Sequence, residues 1–327
     1  MSSSIKHCAN CGATIRFDAR FCDSCGQPQL AYASTATGLL TTTHELKLRY
    51  RIIEKLGQGG FGAIYKVEDL LFTNAIRAVK EMGMRGLDAQ ETQEAISAFK
   101  HEAMLLANLS HPNLPHIYDN FEELGRWYLV MDYIDGQTLA KHLEEAPAGK
   151  LPLPEVLQIG LQLCTVLDYL HNHQPPIIFR ALKPDNVMLT KSGQLYLIDF
   201  GIARFFKPGQ AKDTVNLGTP GYASPEQYGR MQTTVRSDIY SLGATLYHLV
   251  SGINPGLNPF LFQSLDLDPK RPGNAELETL IMQMLEMYED KRPTSAKVVK
   301  QELQRIEDMQ EVAVNQPARL APAGTAR

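Results

Sequence analysis

No stretch of the sequence reaches the roughly 18 uninterrupted apolar residues that a membrane helix needs. The opening Met1-Ser2-Ser3-Ser4-Ile5-Lys6 has no apolar run behind it to make a signal peptide. These absences predict a soluble, cytoplasmic segment, with a span beyond the last residue left open. A basic surplus is also missing: 32 Lys and Arg face 36 Asp and Glu, for a net charge of −4. Nothing global therefore points to nucleic acid or an anionic membrane. Cysteine is scarce and uneven, with four of the five ahead of Gly26 and Cys164 alone. In a reducing compartment such clustering suggests metal more than disulfides. There is no internal repeat. What remains is a chain of 327 residues with ordinary apolar content, enough to bury a sizeable core in one large domain or two smaller ones.

The cysteines occupy residues 1–28. Residues 29–48 read as a linker, low in charge and rich in Ala, Ser and Thr through Thr43. Tyr50 to Glu68 alternates in short steps, as strands joined by a glycine turn do. Arg77 to Glu81 and Trp127 to Tyr133 predict further strands, and Gln93 to Leu109 has helical spacing. Past Leu151 long helical patterns take over, at Val156–Asn172, Asp238–Ser251, Ala275–Tyr288 and Ser295–Met309. Short strands at Asn186–Leu189 and Leu195–Ile198 interrupt them. A β-rich half followed by a helical half predicts an α+β fold of two lobes, about 49–133 and 134–309, with a cleft between them. Residues 310–327 lead into an Ala/Pro-rich end that predicts a disordered tail.

Gly57-Gln58-Gly59-Gly60-Phe61-Gly62 fits G-x-G-x-x-G, a string that alone is weak. In dinucleotide-binding folds a helix follows it directly, whereas here Ala63 to Glu68 alternates like a strand. A glycine turn between strands can lie over phosphates and offer backbone N–H groups; an ordinary hairpin turn is the bland alternative. Ala78-Val79-Lys80 then places a lysine on the next strand, and Glu102 follows on a helix. A lysine aimed at phosphate oxygens needs a carboxylate to hold its stem, and Glu102 is the candidate. Taken singly, each is more often a solvated surface charge.

From Tyr50 to Ile306 the chain resembles a bacterial member of the eukaryotic-type (Hanks-type) Ser/Thr protein kinase family, its motifs in the family's order. The resemblance implies a two-lobed protein-kinase fold over 49–309 that binds ATP with Mg²⁺ or Mn²⁺. Gly57, Gly59 and Gly62 would cover the phosphates. Leu56, Ile64, Ala78 and Met188 would sandwich adenine, Met131 would stand behind them, and Asp132, Tyr133 and Ile134 would form the hinge.

Phe179-Arg180-Ala181-Leu182-Lys183-Pro184-Asp185-Asn186 resembles the family's H-R-D-L-K-P-x-N, with two departures. The matching positions imply Lys183 at the γ-phosphate, Asn186 at a second Mg²⁺, and Asp199 of Asp199-Phe200-Gly201 at the bridging Mg²⁺. Phe179 replaces histidine, and its ring is expected to pack against Phe200. Ala181 replaces the aspartate that orients and deprotonates the substrate hydroxyl. Alanine can do neither, so phosphotransfer should fall while nucleotide binding survives. Asp185, four residues along, should point elsewhere. A single alanine in an otherwise complete site resembles an inactivating substitution; a natural pseudokinase acting as a nucleotide-binding scaffold is the alternative.

Gly218-Thr219-Pro220-Gly221-Tyr222-Ala223-Ser224-Pro225-Glu226-Gln227 resembles the end of the family's activation segment. With Lys183 it implies Ser/Thr rather than Tyr as the protein acceptor. Asp238 matches the helix residue that ties down the catalytic loop, and Arg292 should pair with Glu226. Arg180 could receive a phosphate on Thr214, a regulatory reading that Thr219 shares; a merely solvated threonine is the competing one.

Cys8-Ala9-Asn10-Cys11 and Cys22-Asp23-Ser24-Cys25 are two C-x-x-C turns, each followed at once by glycine. Two thiolates from each turn can complete tetrahedral Zn²⁺, and so short a segment would fold on the metal. The spacing resembles a zinc ribbon; a disulfide or redox pair is the other reading. His7 reads as a bystander and Cys164 as core. Without ribbon aromatics on a basic patch, docking of a protein partner or of the kinase lobe itself fits the module better than nucleic acid.

Overall fold

The computed structural model describes residues 5–7, 13–16, 22–26, 38–59, 62–82, 89–123, 125–200, 204–205, 218–229 and 231–315. Strands β1 (Ile5–His7) and β2 (Thr14–Arg16) form a small antiparallel hairpin, with His7 opposite Thr14. Two compact units follow from the contacts, one of residues 1–109 and 116–133, the other of 110–115 and 134–327.

The first unit is built on β3 (Glu45–Leu46), β4 (Tyr50–Gly59), β5 (Gly62–Asp69), β6 (Ala75–Met82), helix α1 (Ala89–Ala107), β7 (Ile117–Glu123) and β8 (Arg126–Asp132). Its six strands form one antiparallel sheet in the order β3-β4-β5-β6-β8-β7. Side chains alternate across the pleat, so the sheet has two distinct faces. Tyr50, Ile52, Ala63, Tyr65, Val67, Val79, Tyr128 and Val130 fill one. Met82 and Leu129 on the other pack against Phe99 and Ala103 of α1. The pairing of β4 with β5 slips between Ile52 and Glu54 and again between Lys55 and Gly57, two irregularities that bend the strand just ahead of the glycines.

The linker reading of 29–48 fails from Gly38 onward. Leu46 is 1% exposed in the sheet core, and burying a leucine stabilises by about 1.5–3 kcal/mol. Leu40 packs on the same core, and the Thr43 N–H donates to the Ile52 carbonyl at 3.0 Å. Residues 29–37 lie outside the described residues.

The second unit contains β9 (Gly136–Thr138), α2 (Leu139–Glu145), α3 (Leu153–His171), β10 (Ile177–Ile178), β11 (Val187–Thr190), β12 (Leu195–Leu197), β13 (Arg204–Phe205), α4 (Pro225–Tyr228), α5 (Val235–Ser251), α6 (Asn274–Met284) and α7 (Ala296–Asn315). Apolar residues at helical spacing bury one side of α3, with Leu163, Val166, Leu167 and Leu170 fully enclosed. Helix α5 runs through the core and starts at a capping box, Thr234 with Ser237. It stops at Gly252, whose φ of 73° suits the left-handed position after a helix. Helix α7 continues to Asn315, so the tail predicted from 310 begins no earlier than 316; residues 316–327 lie outside the described residues. No helix among the described residues is long and apolar enough to cross a membrane.

Candidate active site

Lys80 and Glu102 meet within the first unit. Lys80 lies on β6 and Glu102 on α1, on the sheet face that α1 covers, and Nζ reaches both carboxylate oxygens at 2.8 Å. Their side chains are 11% and 5% exposed, so the pair is largely withdrawn from water. Such a pair is strong in geometry and costly to break from one side, because the remaining charge is left buried.

Around it, Ile64 pairs across the sheet with Lys80 and Gly57 with Ile64, which puts the three positions in one cross-strand row. Ile64 is 37% and Leu56 45% exposed, whereas Ala78 is buried opposite Met131. Gly59 and Gly62 face each other where the turn leaves the sheet; the two residues between them lie outside the described residues. Asp132 accepts hydrogen bonds from the His116 N–H at 2.9 Å and the Tyr118 hydroxyl at 2.7 Å, while Tyr133 lies under Lys66 Nζ.

In the second unit, a fully buried carboxylate organises the catalytic-loop candidate. Asp238 on α5 accepts the backbone N–H of Phe179 at 2.8 Å and of Arg180 at 2.7 Å. His171 of α3 bonds the same carboxylate at 2.8 Å. Arg180 stands at φ 66° and Asp199 at φ 67°, left-handed conformations that non-glycine residues rarely adopt and that concentrate at functional sites. The Phe179 and Phe200 rings meet edge to face at 4.9 Å, so the aromatic replacement for histidine keeps a packing role.

Ala181 brings no side-chain acceptor, but its carbonyl takes a hydrogen bond from Asn186 Nδ2 at 2.8 Å. That bond sets the amide orientation and directs Asn186 Oδ1, a neutral oxygen donor, away from the Ala181 carbonyl. Asn186 and Asp199 each offer oxygen donors, the ligand type that suits a hard cation such as Mg²⁺. Lys183 Nζ lies 3.8 Å from Asp185, which is 63% exposed. Met188 on β11 pairs with Tyr196 on one side and Thr138 on the other.

Behind the loop, Arg292 grips Glu226 through two bonds of 2.7 and 2.9 Å, and the Ser237 hydroxyl adds a third at 2.6 Å. Burial pushes the Glu226 carboxyl up, but the Arg292 and Ser237 contacts outweigh it and leave the group below its ordinary value. Thr219 is exposed, and its carbonyl accepts from the Tyr222 and Ala223 N–H groups. Thr214 lies outside the described residues.

A cavity of about 590 Å³ adjoins this region, lined by Asp185, Thr219, Tyr222, Glu144 and His248 among others. Sequence reasoning did not single out Glu144 or His248, which sit on helices with no motif around them. Tyr222 Oη bonds His248 Nδ1 at 2.6 Å, and burial lowers the His248 pKa.

Of the four clustered cysteines, Cys22 is buried and Cys25 exposed in a tight turn closed by the Gly26 N–H to the Cys22 carbonyl at 2.9 Å. Gly26 has φ 69°, which lets the chain turn back beside the sulfurs. Cys8 and Cys11 lie outside the described residues, within the stretch that connects β1 to β2. Among the described residues no cluster of three or more metal-ligating side chains occurs. Cys164 is fully buried and burial raises its pKa, which fits a core thiol rather than a reactive one.

The protein kinase domain family matches residues 50–303. The serine/threonine-protein kinase pkn2 of Myxococcus xanthus is 36% identical over 270 residues, an alignment covering 76% of this chain and 31% of that protein. The serine/threonine-protein kinase PrkC of Bacillus subtilis is 35% identical over 208 residues, covering 63% of this chain and 31% of the relative. The chain thus spans about a third of the length of these curated relatives. Among solved structures, the kinase domain of Mycobacterium tuberculosis PknI is similar with a TM-score of 0.63 and 25% identity, over 82% of this chain and 99% of that one.

Proposed function

Because the chain belongs to the protein kinase domain family, we propose that it binds ATP with Mg²⁺ or Mn²⁺ and derives from a Ser/Thr protein kinase whose phosphotransfer this Ala181 form performs poorly or not at all. The observation that carries the reading is the Lys80–Glu102 pair, whose bidentate 2.8 Å geometry serves to aim a cation at phosphate oxygens. Lys80 and the turn at Gly57, Gly59 and Gly62 would hold phosphates; Leu56, Ile64, Ala78, Met131 and Met188 would form the adenine surface, with Asp132 and Tyr133 at the hinge. Asn186 and Asp199 would hold Mg²⁺, which when bound neutralises charge on the phosphate oxygens. Lys183 would attend the γ-phosphate. With Ala181, no side chain at that position can orient or deprotonate the acceptor hydroxyl, and a positioned base contributes about 10²–10⁴-fold.

A nucleotide-binding scaffold that signals by shape shares every nucleotide contact and differs only in what the natural gene encodes at position 181. Aspartate there makes this chain a variant of an enzyme; alanine favours the scaffold. The test of the reading pairs a Mg·ATP thermal shift with a radiolabel transfer assay. Stabilisation by Mg·ATP with weak transfer is expected. Absence of nucleotide-dependent stabilisation, or turnover typical of an active kinase, would contradict it.

Phosphorylation of Thr214 or Thr219, read through Arg180, is proposed as the regulatory route. For the N-terminal segment, Cys8, Cys11, Cys22 and Cys25 would supply four thiolates to one structural Zn²⁺. The glycine-closed turn at Cys22 to Gly26 supports that reading. The folded module would dock a protein partner.

A further inference from the structure

Across the sheet, β4 pairs Gln58 with Ala63, β5 pairs Ala63 with Glu81, and β6 pairs Glu81 with Tyr128. Directly paired residues share a face, so this row lies on the face opposite Lys80, whose own row contains Gly57 and Ile64. The row's face is the core-filling face of the sheet, on which Ala63 is fully buried. Gly38 is buried in the same neighbourhood.

Gly38 donates its N–H to the Glu81 carboxylate at 2.9 Å, and its carbonyl accepts from Lys55 Nζ at 3.3 Å. Lys55 also donates to Gln58 Oε1 at 3.1 Å. A Cβ added at Gly38 would come within 2.4 Å of that same oxygen, and Gly38 stands at φ 85°. Two residues on, the Leu40 N–H donates to the Tyr65 hydroxyl at 3.3 Å, and Tyr65 itself donates to Glu81 at 2.9 Å. Arg126 completes the pairing of Glu81, which has no exposure at all. A buried carboxylate is retained at such a place only when its acceptor positions are filled.

We propose that Gly38–Leu40 is a strap that crosses the back of the glycine-rich turn and fixes its base, with Gly38, Glu81 and Gln58 as positioning residues for nucleotide phosphates. Gln58 lies between two glycines of the turn, and Glu81 follows Lys80 directly. The strap therefore reaches both phosphate-facing elements from behind, without touching the face that they present. It is also the stretch of chain through which the cysteine segment is joined to the sheet.

The inference rests on the nucleotide reading for its purpose, but its physical claim can be measured without nucleotide. In the full chain, Gly38→Ala combines left-handed strain with contact on Gln58, while Glu81→Gln removes the charge that gathers the strap. Hydrogen exchange over residues 54–66 should accelerate by about five- to thirtyfold in Gly38→Ala, the range set by the left-handed penalty for a residue with a Cβ. Affinity for a fluorescent ATP analogue with Mg²⁺ should weaken by about three- to tenfold. Part of that loss should disappear when Gly38→Ala is made in a Gln58→Ala background, since the contact it creates is then gone. Leu303→Ala, a core change on α7 in the second unit, supplies a control of comparable thermal destabilisation that should move neither readout. Equal exchange and affinity in Gly38→Ala, Glu81→Gln and the control would overturn the proposal. If the parent chain bound no nucleotide while Gly38→Ala still loosened residues 54–66, the nucleotide reading would fall and the strap would stand.

Discussion

Restoring a carboxylate by Ala181→Asp isolates the contribution of the absent base, because the backbone that would carry it is already held. The preceding N–H groups of Phe179 and Arg180 are fixed on Asp238 at 2.8 and 2.7 Å, and Asn186 Nδ2 binds the Ala181 carbonyl at 2.8 Å. The new side chain thus needs no rearrangement of the loop, and its effect should approach that of a positioned general base. That is about 10²–10⁴-fold in kcat, or about 2.7–5.4 kcal/mol of barrier at 1.36 kcal/mol per decade. The assay is transfer of γ-radiolabelled phosphate to a generic Ser/Thr-containing protein at saturating Mg·ATP, with Mg·ATP affinity measured for both forms. Affinity should change little, because the phosphate- and metal-facing candidates are untouched. An unchanged rate with nucleotide binding intact would refute the reasoning and locate the impairment outside position 181.

Lys80→Ala should abolish most Mg·ATP stabilisation and also lower the melting temperature, since it removes the cation held at 2.8 Å against the 5%-exposed Glu102 carboxylate; calorimetry of both binding and unfolding checks it. Arg292→Ala should cost about 3–5 kcal/mol in chemical denaturation by stranding buried Glu226, whereas Lys141→Ala, at an exposed i,i+4 pair, should cost almost nothing. Glu226 titrates below its ordinary value when folded, so its stabilisation is present above the ordinary glutamate range of about 4.3 and is lost as pH falls through the folded value. A melting temperature measured down that range should fall more steeply in the parent than in Glu226→Gln. Metal analysis of the full chain should find about one zinc, lost in Cys8→Ser with Cys22→Ser; undiminished zinc in that variant would exclude the four-thiolate site.

Much of the candidate site was legible because its chemistry is carried by residue type at short spacing. Lys80 and Glu102 were readable as a lysine on a strand and a carboxylate on the next helix, and the structure joins them. The Arg292–Glu226 and Asp238 contacts were legible only through the resemblance, since 66 and about 58 residues of chain separate their partners and no local pattern encodes such a pairing. The strap was not legible. Its hold comes from backbone N–H groups at Gly38 and Leu40, a feature common to nearly all residues, and its one apolar anchor, Leu40, cannot form a period. Helix α7 overran its predicted end because Gln310 to Asn315 lacks a breaker, and the Ala/Pro-rich composition that suggested a tail begins only beyond it. Left-handed Arg180 was equally hidden, since arginine is not a residue type that favours positive φ; Asp199 belongs to a type that visits that region, but only occasionally, so its conformation was not announced either.

The most direct test of the account is calorimetric titration of the full chain with ATP in the presence and absence of Mg²⁺. The account predicts saturable binding at about one nucleotide per chain that strengthens with the cation, as expected of a phosphate-facing lysine and an oxygen donor set that both survive the loss of the base. Heats indistinguishable from dilution at millimolar Mg·ATP would contradict it.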